Sequence, residues 1–227
     1  MITLVYGGSG SGKSKFAEQL VISSKAERKY YVATMQVYDD EGRRKVERHR
    51  KLRDGKGFVT MEAPVDIGAV ARQIADGVQS GETYQIADGA QFGETLVSKT
   101  AVLLECMMNL VANEMFPPES EDGQLGSNGG IEESVVVSRI ISGLEELFSC
   151  ADDIIIVSGN VFEDGPEYDE STLSYMRALS VVNTFIASKA DEVYEVVAGI
   201  PLKIARQDKC AHLFDGGKSG SAKIAGA

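Results

Sequence analysis

The sequence predicts an α/β fold: a mostly parallel sheet covered by helices on both faces. Three observations carry this. Ala101-Val102-Leu103-Leu104 and Asp153-Ile154-Ile155-Ile156-Val157-Ser158 contain apolar runs without polar alternation, the mark of strands buried on both faces. Such runs alternate along the chain with segments of helical period. The first of them, Ile2-Thr3-Leu4-Val5-Tyr6, enters a glycine-rich turn and then a helix.

In chain order, residues 2–6 form a short β-rich run that stops at Gly7-Gly8. A helical pattern begins near Gly12 and carries Phe16, Ala17, Leu20 and Val21. Tyr30 to Thr34 reads as a second strand, and Glu41 to Arg53 as a charged helix. Phe58 to Met61 is a third apolar run, after which Pro64 and Asp66 open a helix toward Ile74. The 101–104 strand leads into a helix through Leu110 and Met115. Val135 to Phe148 is helical in period, the 153–158 strand follows, and Leu173 to Ala187 forms another helix. Glu192 to Val197 reads as the last strand. The first strand is expected at the centre, with 101–104 and 153–158 beside it.

A chain of 227 residues fits one such domain, here residues 1–204. Residues 79–99 and 117–130 are glycine-rich or lack basic side chains, and read as loop insertions. Residues 205–227 read as a disordered tail.

Composition narrows the function. The chain carries 23 basic and 34 acidic residues, a net charge of −11. That opposes a general nucleic-acid or anionic-membrane binder, which needs a basic field, but leaves room for a local phosphate site. No apolar run is long enough to span a membrane. The N-terminus lacks the pattern of a signal peptide, and the three cysteines (Cys106, Cys150, Cys210) show no CxxC spacing. These features predict a reduced, cytoplasmic protein.

Gly7-Gly8-Ser9-Gly10-Ser11-Gly12-Lys13-Ser14 matches G-x-x-x-x-G-K-S, with a strand before it and a helix after it. Glycines let backbone N–H groups converge on phosphate oxygens, and the helix N-terminus adds partial positive charge. Lys13 is expected at the β- and γ-phosphates, and the Ser14 hydroxyl on Mg²⁺. The fold is therefore expected to be P-loop NTPase-like. Glu105, at the end of a buried strand, is the candidate second metal ligand. A cap on the following helix is its bland alternative.

His49 lies in Arg43-Arg44-Lys45-Val46-Glu47-Arg48-His49-Arg50-Lys51-Leu52-Arg53. Val46 and Leu52 share its helix side, and Lys45 and Arg53 are its basic neighbours at i±4. Nearby positive charge favours a neutral imidazole, whose lone pair can attack phosphorus. A solvated charged helix with an incidental histidine accounts for the same pattern.

Five segments together resemble the bifunctional adenosylcobinamide kinase / adenosylcobinamide-phosphate guanylyltransferase family of cobalamin biosynthesis. They are residues 7–18, Tyr31-Val32-Ala33-Thr34 with Asp40-Glu41, Val46-Glu47-Arg48-His49-Arg50 with Thr60-Met61-Glu62-Ala63-Pro64, Leu103-Leu104-Glu105-Cys106 with Asn113, and Ala190 to Lys203. The resemblance implies phosphorylation of adenosylcobinamide and transfer of GMP from GTP, through a guanylylated His49, to the phosphate product. It implies GTP and ATP as substrates, Mg²⁺ as cofactor, Glu62 as part of the nucleotide site, and a homotrimer. The chain departs from the family pattern at Gly159-Asn160-Val161-Phe162, which lacks an acid, and a later motif survives only as Arg177 and Asn183. A plain P-loop small-molecule kinase and a non-catalytic nucleotide-binding regulator are the rival readings.

Overall fold

All six expected apolar runs form strands in the computed structural model, which describes residues 1–36, 42, 44, 47, 55–79, 99–117, 131–161 and 168–206. The strands are β1 (Ile2–Tyr6), β2 (Arg28–Ala33), β3 (Phe58–Glu62), β4 (Thr100–Glu105), β5 (Asp153–Val157) and β6 (Glu192–Val197). A seventh, β7 (Ile200–Arg206), follows. The helices are α1 (Lys13–Ser23), α2 (Ile67–Gln79), α3 (Met107–Met115), α4 (Glu133–Cys150) and α5 (Glu170–Lys189). The insertions expected at 79–99 and 117–130, the tail and most of the 41–53 helix lie outside the described residues.

The sheet runs β3-β2-β4-β5-β1-β6-β7. Every pairing from β3 to β6 is parallel, and among the described residues β7 alone is antiparallel. Two expectations need correction. The neighbours of β1 are β5 and β6, and β5 separates it from β4. Continuous apolar runs require burial on both faces but do not dictate which strand lies next to which. Nor is β6 the last strand. It turns through Ala198 and Gly199 into β7, both residues having positive φ (49° and 82°). Two such residues make the tight turn whose twist suits a hairpin.

Alternation along β4 explains its composition. Ala101 and Leu103 pack on the α1 side with Ala17, Val21, Val5 and Tyr31. Val102 and Leu104 pack on the other side with residues of α2, α3, α4 and α5. All four β4 residues are fully buried. On that second face α4 buries Val136, Ile140, Leu144 and Leu147, one helical stripe. Its Gly143 lets α2 approach closely: a Cβ there would stand 2.5 Å from Ile67 Cγ2. Two aspartates start helices. Asp66 Oδ1 accepts the Ala69 N–H at 3.0 Å, and Asp169 Oδ1 accepts the Thr172 N–H at 2.7 Å.

Parallel strands bring their C-terminal ends to one edge, and the next helix starts there. The glycine-rich loop after β1, Thr34 after β2, Glu62 on β3, Glu105 on β4 and Ser158 after β5 all fall on this edge.

Candidate active site

The loop between β1 and α1 has the backbone its glycines imply. Gly7, Gly10 and Gly12 have φ of 154°, 69° and 93°. A Cβ on Gly7 would stand 2.6 Å from Val196 O, so that position is closed to any side chain. Gly12 caps α1 in the left-handed conformation and brings no cap side chain to the helix N-terminus; among the described residues the first turn holds no acid. The free N–H groups of that turn are then available to an anion.

Lys13 Nζ donates to Gly8 O at 3.0 Å, folded back over the loop. Ser14 Oγ donates to Glu105 Oε1 at 2.6 Å. Ser14, in the first turn of α1, and Glu105, at the end of β4, are 91 residues apart and are thus brought together although β5 lies between β4 and β1. A hydroxyl and a carboxylate are hard oxygen donors, the chemistry Mg²⁺ prefers. Among the described residues no group of three His, Cys, Asp or Glu could hold a metal alone, so remaining positions would fall to phosphate and water oxygens. Gly8, Ser9 and Gly10 are exposed at the loop crest, while Ser11 is partly buried beneath it.

Glu62 is exposed at the end of β3. It pairs in register with Ala33, which in turn pairs with Glu105. Two strand spacings, about 10 Å, therefore separate Glu62 from Glu105. They share the edge without meeting. His49 lies outside the described residues; Gly42, Arg44 and Glu47 in the same stretch have helical backbone.

Several contacts at this edge were not anticipated as part of a site. Asn113 Nδ2 donates to Thr34 O at 2.8 Å and to Pro64 O at 2.9 Å, tying the ends of β2 and β3 to α3. Thr34 Oγ1 donates to Cys106 O at 2.8 Å and accepts the Cys106 N–H at 2.7 Å. Buried Glu114 accepts the Asp66 N–H at 2.8 Å and pairs with Arg139 at 2.9 Å. Burial pushes the Cys106 thiol up, so it stays protonated and is no ready nucleophile. Burial, helped by Cys106, pushes the Tyr175 hydroxyl up to about 12. Of the altered motif, Asn183 Oδ1 accepts from Ser158 Oγ at 2.6 Å, whereas Arg177 pairs with Glu133 and Glu170 on the surface.

The β6–β7 turn also touches the loop: the Gly199 N–H donates to Ser11 O at 2.8 Å. Its signal in the sequence was two β-rich runs separated by two residues ending in glycine.

A parallel sheet whose β1 delivers a G-x-x-x-x-G-K-S loop to a helix N-terminus, with a serine-carboxylate pair beside it, defines a P-loop nucleotide-binding protein. The family model described as cobinamide kinase / cobinamide phosphate guanyltransferase matches residues 3–82 and 80–204. The chain belongs to this family. It is 27% identical over 204 residues to the bifunctional adenosylcobalamin biosynthesis protein CobU of Salmonella typhimurium (strain LT2), an alignment spanning 90% of this chain and 99% of that protein. The protein of the same name from Escherichia coli (strain K12) is 26% identical over the same length, with the same coverage. No helix among the described residues is long and apolar enough to cross a membrane.

Proposed function

We propose that this chain is a transferase with two activities. It phosphorylates adenosylcobinamide, and it transfers GMP from GTP to the resulting adenosylcobinamide phosphate. The observation that supports this best is an intact phosphate loop, with Ser14 against Glu105, in a chain whose family match runs from residue 3 to 204.

In the kinase step the aminopropanol hydroxyl of the corrinoid attacks the γ-phosphorus of a nucleoside triphosphate. The bond to the nucleoside diphosphate breaks and the hydroxyl proton is lost. In the second activity a neutral His49 nitrogen attacks the α-phosphorus of GTP and pyrophosphate leaves. The phosphate of the corrinoid then displaces His49 and gives adenosylcobinamide-GDP. Covalent transfer divides one hard displacement into two easier ones.

Lys13 holds the β- and γ-phosphates and offsets charge growing on the leaving group. The loop N–H groups orient the chain of phosphates, and Glu62 contributes to nucleotide binding. Ser14 and Glu105 would hold Mg²⁺, which when bound screens phosphate charge. Within the same proposal the enzyme works in the cytoplasm as a homotrimer, which light scattering on the purified chain can test.

The deciding experiment is incubation with α-labelled GTP and Mg²⁺, then denaturation. A GMP label that is lost in acid, kept in base and absent from His49→Ala supports the reading, because a P–N bond to imidazole has that lability. A label that persists in His49→Ala removes His49 from the mechanism. Phosphorylation of the corrinoid without any label leaves a plain kinase; triphosphate binding without turnover leaves a regulator.

A further inference from the structure

We infer that Gly199, in the β6–β7 turn, is a positioning residue for the phosphate loop: its N–H fixes the Ser11–Gly12 peptide so that the Gly12 N–H is aimed into the phosphate site. The inference rests on the triphosphate-binding role proposed above and adds a residue far from the loop in sequence. Gly199 N–H donates to Ser11 O at 2.8 Å. A trans peptide is planar, with its C=O and N–H pointing in opposite directions. Holding the Ser11 carbonyl toward the hairpin therefore turns the Gly12 N–H away from it. Gly12 is the cap of α1, where the free donors of the helix N-terminus begin. Rotated the other way, this peptide would present a carbonyl oxygen to the phosphates and repel them.

Two close approaches show that the hairpin and loop fit as one unit. A Cβ on Gly12 would stand 3.2 Å from Gly199 Cα, and one on Gly7 would stand 2.6 Å from Val196 O. The strand pairing Tyr6↔Glu195 delivers both segments to this place. Position 199 itself is spacious: a Cβ there meets nothing within 4 Å. What it demands is φ of 82° and a backbone N–H. Residue size and backbone conformation can thus be separated by substitution.

The test uses the full chain and measures binding of GTP and of ATP by calorimetry, alongside the melting temperature. Replacing the Ala198–Gly199 amide with an ester, by ligation of a synthetic C-terminal segment carrying glycolate at 199, removes the N–H donor and changes the backbone otherwise only by weakening the Ala198 carbonyl as an acceptor. The expected result is triphosphate affinity weaker by about tenfold. Gly199→Asn keeps the N–H and tolerates positive φ, so it should stay within about twofold of wild type. Gly199→Val keeps the N–H but resists positive φ, and should bind as weakly as the ester or worse. An ester variant that melts lower yet binds GTP and ATP like wild type would overturn the inference and leave a packing contact. Equal loss in Asn and Val variants would also overturn it, because side-chain bulk would then be the cause. A wild-type chain that binds neither nucleotide would instead overturn the functional reading on which the inference stands.

Discussion

The two ends of the nucleotide-binding edge are built by different means. At the β1–β6–β7 end, the contacts that shape the loop are largely main-chain: glycine dihedrals, the free turn of α1, and Gly199 N–H on Ser11 O. At the β2–β3–β4 end, side chains hold the strand ends together: Asn113 on Thr34 and Pro64, Thr34 on Cys106, and Glu114 on Asp66 and Arg139. The first end makes backbone donors that an anion can use. The second consumes its donors internally and works as a clamp. One edge thus combines a binding element with a frame that spaces Glu62 from Glu105.

This division can be broken at its largest effect by Lys13→Ala. Removing the cation should lower both activities together by roughly 10²–10³ in rate, with little change in stability. Steady-state assays of each activity and a melting curve check this; loss of one activity alone would mean the two reactions do not share the loop.

The opposite pattern is expected from Asn113→Ala. It leaves Thr34 O and Pro64 O without this donor in a buried place, costing about 2–4 kcal/mol of stability. Triphosphate affinity at the loop should move less than about threefold while the protein stays folded. Urea unfolding and calorimetry read the two quantities, and a large affinity loss would merge the two ends into one unit.

A smaller effect sharpens the main-chain end. Ala198 holds φ of 49°, a conformation asparagine adopts more readily than alanine. Ala198→Asn should stabilise the fold by about 0.5–1 kcal/mol, a rise of a few degrees in melting temperature. A fall would mean that the Ala198 methyl group packs against something the turn needs.

The smallest effect is chemical and concerns thiols. Burial pushes Cys150 from 9.0 up to about 11, and burial raises Cys106 as well. A thiol whose folded pKa lies above its unfolded value favours folding fully below pH about 9, and that contribution is lost as pH rises toward 11. At pH 8 Cys150 is held almost wholly as the thiol. Peptide-resolved alkylation of the native chain should therefore be slow at both sites and fast after unfolding. Rapid native labelling of Cys106 would show that the clamp end opens readily.

What could be read from the sequence follows the same division. The phosphate loop was legible because backbone conformation at Gly7 and Gly12 forces the residue type, and because Lys13 and Ser14 sit at fixed spacing. Its partner Glu105 was legible as the end of an apolar run. The clamp contacts were not, although Thr34, Pro64, Cys106 and Asn113 all lie in the segments that carry the family resemblance: the Thr34 and Pro64 carbonyls meet Asn113 only after β2, β3 and α3 assemble. The strand β7 was overlooked because Pro201 outweighed the hairpin signal of the two-residue link before it. Proline argues against a central strand but is accepted at an edge, where β7 lies.

The reversed direction of β7 has a practical consequence. It carries the chain from the phosphate edge back to the opposite edge, where Arg206 pairs with Glu192 and Glu192 with Thr3. Thr3 and Arg206 are thus two strand spacings apart, about 10 Å, and about five strand residues from the loop crest. In a chain cut after residue 206, a linker of a few glycines could join them. Circular permutation of the domain through that junction would leave the phosphate loop, its hairpin support and the Ser14–Glu105 pair in their present connectivity.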